Sequence, residues 1–398
     1  MANILDYLSW RGDLTLKASP FNEVDNLILA ELSFIDFSSI VPEAAGRSAP
    51  TLRAAAEQFF ARRGDELDMG VLVPDTIVRL LALAAESARF GDMRLLSFVS
   101  ELDAEREMQF AALTVELAPK LLYVAYRGTD DTLLGWKEDF NMSFLTPVPG
   151  QEEAVRYLER IARRYPAARL LVGGHSKGGN FAAYAAIHAR ERVQSRILAV
   201  YNNDGPGFDE NVLGTMEHAR IADRIRTIVP EGDVVGMLLC HEERYCVVRS
   251  DEKALMQHDG FSWQVLGTSF CHLSEISRGG KLVDQTLKAF AAGLTRAQRE
   301  RFVDVLYEIL TASGAATLSD LQKAGWKAVS AMVKTSRDLD EESRELLTST
   351  LRLLFREGAR SLRGELEREN RALERRLNGG LERLGLGKAP KETKEPKE

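Results

Sequence analysis

The spacing of apolar positions changes twice along the chain. Before residue 90, apolar residues recur at intervals of three and four, for example from Val24 to Leu32, which is the period of an amphipathic helix. From Met93, short apolar runs separated by polar turns predict strands, and from about residue 283 the helical spacing returns. The last residues are charged and nearly free of apolar side chains, which is typical of disorder. The pattern predicts a helical N-terminal section packed on a core, the core itself, a helical C-terminal extension and a disordered tail, at residues 1–90, 91–290, 291–385 and 386–398.

Strand-like and helix-like segments alternate through the core. Helical patterns such as 152–164 lie between apolar runs of strand length, at residues 121–126, 170–172, 197–201 and 225–229. This alternation predicts an α/β fold with a mostly parallel central sheet and right-handed crossovers. In such a sheet, functional groups gather on the loops that follow the C-terminal ends of the strands. Four polar residues follow predicted strands in this way: Thr129, Ser176, Asp204 and Asp233.

Residues 174–178 form the pattern G-x-S-x-G around Ser176. The pattern lies between an apolar strand and an alanine-rich helix, which suits a strained turn that exposes the serine hydroxyl at the end of the strand. The glycines let neighbouring backbone pass close to the serine, and the His175 side chain should point away from it. A glycine-rich turn whose serine caps the helix is one alternative. A phosphate loop is another, but the spacing G-x-x-x-x-G-K-[ST] is absent. We interpret Ser176 as a nucleophile.

A nucleophilic serine needs a base to accept its proton and an acid to orient that base. One large class of serine hydrolases places these residues in the order serine, acid, histidine. His258, in a polar loop after the last predicted strands, is the favoured base, and His272 is the runner-up. Asp233 is the favoured acid because it ends the later strand and follows Pro-Glu-Gly. Asp204 is the alternative acid, or a turn residue that bonds its own backbone.

Two backbone N–H groups are needed to stabilise the oxyanion that forms during such a reaction. The N–H of Lys177, at the start of the helix, is one candidate, and the helix dipole adds to its effect. The other is the N–H of Thr129, whose hydroxyl would be an additional donor. The side chain of Lys177 is expected either to favour an anionic substrate head group or to point to solvent.

Composition limits the classes of function. The 398 residues carry a formal net charge of −7, which argues against nucleic acid as a partner. The first residues do not resemble a signal peptide, and no apolar run has the length of an integral membrane segment. Three cysteines are an odd number without zinc-site spacing, so we expect buried or free thiols in a reducing compartment and a cytoplasmic location. No metal and no organic cofactor is implied.

Several motifs together resemble the class 3 (fungal-type) lipases in order and rough spacing, over about residues 93–265. They are residues 126–129 (YRGT), Trp136, Asp139, residues 174–179 (GHSKGG) and residues 229–233 (VPEGD). Residues 7–13 and 257–263 look like those of a poorly characterised, mainly bacterial branch of lipase-like α/β-hydrolases. The resemblance implies an α/β-hydrolase fold with a catalytic core at residues 91–290. It also implies Ser176 as nucleophile, Asp233 as acid, His258 as base, and Thr129 and Lys177 as oxyanion donors.

The sequence departs from the lipase pattern in three respects. Lys177 stands where these lipases usually have an apolar residue, the leader and disulfides of secreted lipases are not seen, and no apolar lid is recognised. The expected activity is therefore that of an intracellular serine esterase, lysophospholipase or acyl-thioesterase, acting through an acyl-enzyme on a small acyl ester or lipid. Bulk triglyceride is not favoured.

The charged C-terminal extension supports a second hypothesis. Leucines spaced by four, seven and four could form a short coiled coil and allow self-association, at positions Leu362, Leu366, Leu373 and Leu377. The chain would then be a catalytically weak, lipase-like binding or scaffold protein that acts through these helices. On the enzyme hypothesis, truncation after residue 290 is expected to leave turnover intact.

Overall fold

The computed structural model describes most of the core and both helical sections. The described residues are 1–44, 49–63, 76–232 and 245–350, with residues 352, 353 and 356. The predicted tail at 386–398 and the leucines at 362–377 lie outside these ranges.

Strands lie between residues 94 and 273, and helices occur before, among and after them. The strands are β1 (Arg94–Asp103), β2 (Met108–Ala118), β3 (Leu121–Tyr126), β4 (Arg169–His175), β5 (Ile197–Asn203), β6 (Ile225–Pro230), β7 (Tyr245–Val248), β8 (Val265–Leu266), β9 (Ser269–Phe270) and β10 (His272–Leu273). The α-helices are α1 (Ile4–Arg11), α2 (Glu23–Leu32), α3 (Leu52–Arg63), α4 (Thr76–Glu86), α5 (Leu133–Asn141), α6 (Pro149–Arg164), α7 (Lys177–His188), α8 (Glu191–Gln194), α9 (Glu210–Leu213), α10 (Met216–Ala219), α11 (Arg278–Ala292), α12 (Arg296–Thr311), α13 (Leu318–Ala324) and α14 (Trp326–Asp338).

Eight of these strands form one sheet in the order β1-β2-β3-β4-β5-β6-β7-β10. Neighbours from β3 to β7 are parallel. The pairs β1–β2, β2–β3 and β7–β10 are antiparallel. The predicted α/β-hydrolase fold class, with a mostly parallel central sheet, is confirmed. The register aligns Tyr126 with Gly174 and Gly174 with Asn202, so β3, β4 and β5 end side by side.

Side chains of β3 alternate between two apolar clusters on the two faces of the sheet. Tyr123 and Ala125 belong to the cluster that contains residues of the N-terminal helices, whereas Leu122 and Val124 belong to the cluster with α6 and α7. Burying one such aliphatic side chain contributes about 1.5–3 kcal/mol. Because helices cover both faces, the parallel strands are continuous apolar runs in the sequence.

Helix α2 is attached to the end of β4 by a buried hydrogen-bond network. The Tyr123 hydroxyl donates to Asn26 Oδ1 at 2.7 Å, and Asn26 Nδ2 donates to Asn203 Oδ1 at 2.8 Å. Asn203 Nδ2 donates to the carbonyl of Gly174 at 2.8 Å. The N-terminal section therefore packs directly against the strand ends that carry the predicted site.

The C-terminal extension packs on α5, which begins four residues after Thr129. The Leu133 N–H donates to the carbonyl of Ala316 at 2.9 Å, and the Leu318 N–H donates to the carbonyl of Asp131 at 3.0 Å. Lys137 on α5 forms an ion pair of 3.0 Å with Asp304 on α12. The extension thus holds the loop that follows β3.

Candidate active site

The chain makes a sharp turn at Ser176, between β4 and α7. Ser176 has φ 59° and ψ −133°, a conformation that non-glycine residues rarely adopt. The turn is held by the Ser176 N–H, which donates to the carbonyl of Asn203 at 2.9 Å, and by the Gly179 N–H, which donates to the Ser176 carbonyl at 2.8 Å. Backbone strain of this kind persists where the surrounding structure imposes it, and it is concentrated at functional sites. The turn has the form that the G-x-S-x-G pattern predicts.

Gly174 and Gly178 are required by the close approach of backbone on both sides of Ser176. A Cβ on Gly174 would lie 2.3 Å from the backbone of Gly178, and a Cβ on Gly178 would lie 2.1 Å from the carbonyl oxygen of Tyr126. Any larger residue at either position would push β3, β4 and α7 apart. The two glycines therefore fix the place of Ser176 relative to the end of β3.

His258 and Asp204 form a direct hydrogen bond. His258 Nδ1 lies 2.7 Å from Asp204 Oδ2, and the Asp204 side chain is fully buried. Asp204 directly follows β5, next to the strand that ends at Ser176. Because a carboxylate oxygen accepts, Nδ1 carries the proton, and Nε2 of His258 is left as the nitrogen that can accept one. This arrangement orients an imidazole for use as a base.

Of the other two predicted acid and base residues, the structure describes one. Asp233 lies outside the described residues. His272 lies on β10, where its Nε2 is 2.7 Å from Glu23 Oε1 and 3.1 Å from Ser269 Oγ. The structure therefore brings the favoured base, His258, together with the alternative acid, Asp204.

The Thr129 hydroxyl donates to the carboxylate of Asp139 on α5. It was expected to be an additional oxyanion donor, but in the structure it serves to hold Asp139. Burial raises the pKa of the Asp139 carboxyl above its ordinary value, against the opposing effects of the Lys177 charge and the Thr129 hydroxyl. Thr129 lies three residues after the end of β3 at Tyr126.

The side chain of Lys177 is buried, which overturns both expectations for it. Its Nζ lies 3.1 Å from Glu138 Oε2 and 3.7 Å from Asp139 Oδ1, and only 1% of the side chain is exposed. Glu138 also accepts the N–H groups of Gln109 and Gly150. Lys177 therefore neither points to solvent nor offers a charge to a substrate head group; it ties the start of α7 to α5.

The His175 side chain contacts His258, which the sequence did not reveal. His175 Nε2 lies 2.8 Å from the carbonyl oxygen of His258, and the two ring centroids are 4.8 Å apart. The ring also meets Trp263 edge-on. The sequence did contain a signal for this contact. His175 is a polar residue on β4, on the same face as Leu171, and that face packs against the N-terminal helices.

In the described parts of the chain, the side chains that commonly bind metals do not cluster into a ligand set. No group of three or more histidine, cysteine, aspartate or glutamate side chains there could hold an ion. Cys246 and Cys271 are free thiols, and Cys246 is exposed; Cys240 lies outside the described residues. Among the described helices, none is both long and apolar enough to span a bilayer.

Three solved lipase structures are similar to this chain in fold. Lipase II from Rhizopus niveus is 15% identical, with 56% of this chain and 78% of that chain covered at a TM-score of 0.36. Lip2 lipase from Yarrowia lipolytica is 12% identical, with 65% and 88% covered at 0.35. A lipase–propeptide complex from Rhizomucor miehei is 18% identical, with 50% and 65% covered at 0.32. At these scores the likeness transfers neither a substrate nor a catalytic residue.

Sequence comparison gives a family. No curated protein matches the chain. The model of the Mbeg1-like family matches residues 84–308, from the end of α4 through most of α12. That region holds the whole central sheet, the Ser176 turn and the His258–Asp204 pair, and it is more than half of the 398 residues. The chain therefore belongs to the Mbeg1-like family.

Proposed function

We propose that this protein is a serine hydrolase that cleaves carboxylic esters through an acyl-enzyme. The observation that carries the proposal is the 2.7 Å contact between His258 Nδ1 and the buried Asp204, beside the strained turn at Ser176. Ser176 is the nucleophile, His258 the general base and Asp204 the residue that orients His258. Membership of a lipase-like family and the lipase-like fold agree with this reaction class.

The reaction follows from the chemistry of these three side chains. Ser176 Oγ attacks the ester carbonyl carbon while His258 Nε2 accepts the hydroxyl proton. The tetrahedral intermediate collapses, His258 returns the proton to the leaving alkoxide, and an alcohol departs from the acyl-enzyme. Water then attacks the acyl carbon, with His258 again accepting and returning the proton, and the carboxylic acid is released.

The oxyanion would be stabilised by the N–H groups of Lys177 and Thr129. Lys177 begins α7, so its N–H belongs to the positive end of a helix dipole. Thr129 is held through Asp139, which also lies near the Lys177 ammonium. The two proposed donors are thus linked by the contacts of one carboxylate.

The proposed substrate is a small acyl ester, an acyl thioester or a lipid such as a lysophospholipid. A cytoplasmic location and self-association through the C-terminal helices are proposed on the sequence alone.

Labelling with a fluorophosphonate probe, followed by tryptic digestion, tests the proposed nucleophile. Trypsin cleaves after Arg169 and Lys177, so Ser176 is the single serine of an eight-residue peptide, LLVGGHSK. We expect the native protein to carry the phosphonyl group on this peptide, because only an activated serine reacts quickly. Heat-denatured protein is the control. Native protein that is unlabelled, or labelled no faster than denatured protein, would refute the proposal.

The scaffold hypothesis has one observation in its favour. Helix α14 exposes an apolar row at intervals of three and four residues, formed by Trp326, Val329 and Val333, with Trp326 83% exposed. Apolar rows of this kind occur at protein–protein contacts. Folded protein that fails the labelling test would make this the leading hypothesis.

Truncation after residue 290 should reduce ester turnover, in contrast to the expectation from sequence. The truncation removes the contacts that Ala316, Leu318 and Asp304 make with α5 and the preceding loop. Displacement of the Thr129 loop should lower kcat by about 10-fold or more. Truncation after residue 340 keeps α12 to α14 and is the matched control. Full kcat in a folded chain ending at residue 290 would contradict this prediction.

A further inference from the structure

A buried carboxyl group lies behind His175, on the side away from His258. Glu31 Oε1, on α2, is 3.1 Å from His175 Nδ1, and the Glu31 side chain is 4% exposed. A Cβ on Gly260 would lie 2.8 Å from the same oxygen, so Glu31 packs against the turn that follows His258. Glu31, His175 and the His258 backbone thus form a chain of contacts from the N-terminal helices to the proposed base.

The hydrogen bond to His258 determines which nitrogen of His175 carries a proton. A carbonyl oxygen can only accept, so the 2.8 Å contact requires a proton on His175 Nε2. Burial, with a smaller effect from nearby His258, lowers the pKa of His175 to about 3. The ring is therefore neutral near pH 7, and Nδ1 carries a lone pair 3.1 Å from Glu31 Oε1.

The lone pair on Nδ1 in turn determines the state of Glu31. A carboxylate oxygen 3.1 Å from a lone pair would be repelled, whereas a protonated carboxyl donates to it. Burial, with the nearby charge of Asp259, raises the pKa of Glu31 well above its ordinary value. Both groups are then uncharged, which avoids the cost of an isolated buried charge.

We propose that Glu31 and His175 are positioning residues for the base: the protonated Glu31 carboxyl donates to Nδ1 of His175, which keeps the Nε2 proton directed at the carbonyl of His258. This role rests on the proposed function. Without the Glu31 donor, the lone pair on Nδ1 is left buried and unpaired, and the His175 ring loses one of the contacts that hold its orientation. A change in the orientation of the ring weakens its hydrogen bond to the His258 carbonyl and displaces the segment that carries the imidazole bound to Asp204.

Other described contacts hold the residues on either side of the His258 carbonyl, among them the Phe261 N–H that donates to Asp259 Oδ1 at 3.0 Å. Trp263 Nε1 donates to the carbonyl of Gln257 at 2.9 Å, and Gln257 Oε1 accepts the N–H of Gly232 at 2.6 Å. These contacts fix the residue before His258. The carbonyl of His258 itself accepts a hydrogen bond from His175, so the Glu31–His175 pair contributes to the placement of the backbone of the base.

Nitrogen-15 NMR of histidine-labelled protein tests the tautomer without any need for activity. There are six histidines, and the signals of His175 are identified by their loss in His175→Phe. We expect a neutral His175 with its proton on Nε2 near pH 7, unchanged in Glu31→Gln, whose amide can still donate to Nδ1. The Nδ1 signal should shift in Glu31→Leu. A His175 imidazolium, or a proton on Nδ1 in the wild type, would overturn the proposal.

Turnover of a soluble ester tests the positioning role. We expect Glu31→Leu to lower kcat by about 10- to 100-fold with little change in KM, because the base rather than the substrate is displaced. Glu31→Gln should stay within about threefold of the wild type, and Glu31→Leu combined with His175→Phe should lose no more than His175→Phe alone. Glu57→Leu, on an exposed face of α3, is the matched control.

The outcomes separate this inference from the proposed function. An active wild type with an equally active Glu31→Leu overturns the positioning role alone. A folded wild type without turnover or labelling overturns the proposed function, and the positioning role with it. If Glu31→Leu does not fold, two other variants decide the question. A lower kcat in His175→Phe together with a near wild-type kcat in Glu31→Gln supports the positioning role, and an unchanged kcat in His175→Phe overturns it.

Discussion

Replacing either Ser176 or His258 with alanine should reduce ester turnover by about 10⁴-fold or more. The serine supplies the bond to the acyl group and the histidine moves the proton, so neither acts without the other. The double variant should lose no more than either single one, because residues that act as a unit are not additive. The measurement is kcat on a soluble nitrophenyl ester, with thermal unfolding to confirm the fold.

Ser195→Ala is the control for this experiment, since Ser195 is an exposed serine at the end of α8. It should leave kcat unchanged. Losses that multiply in the double variant would show that Ser176 and His258 act independently, and would contradict a triad.

Asp204→Asn should reduce kcat by about 10³- to 10⁴-fold, and by more than Asp233→Asn does. Asparagine at 204 can offer an N–H to His258 Nδ1, which favours the wrong tautomer and leaves Nε2 protonated. The buried position of Asp204 makes the contact hard to replace by water. Parallel kinetics of the two variants decide which carboxylate orients the base.

Asp223→Asn is the control for the aspartate variants, because Asp223 is largely exposed. The reverse ranking, with a large loss in Asp233→Asn and a small one in Asp204→Asn, would return the acid role to the residue that the sequence favours.

The sheet and the sharp turn at Ser176 could be predicted because their signals are local. Buried parallel strands are apolar runs, and the turn at Ser176 is encoded in five adjacent residues. The choice of acid is not local. Asp204 and Asp233 both follow strands of the sheet in the sequence, and the sequence alone does not show that His258 contacts Asp204.

The contacts of Lys177 and His175 could not be predicted in the same way, because their partners are distant in the sequence. The partners of Lys177 lie about forty positions earlier, on a helix whose orientation no pattern gives. Glu31 could have been noticed, because it falls seven residues after Val24 on the apolar face of α2. An acid on a buried face requires a partner, and His175 is the polar residue on the strand face opposite. The sequence therefore indicates that the buried Glu31 needs a polar partner, but it does not identify His175 as that partner.

The ion pair between Lys177 and Glu138 has a consequence for the divergence of the family. Losing one partner leaves the other charge buried, at a cost of about 3–5 kcal/mol, a large part of the stability of an ordinary domain. The two positions should therefore covary. Relatives with an apolar residue at the position of Lys177 should also lack the acid at the position of Glu138, because a change at one position requires a compensating change on α5.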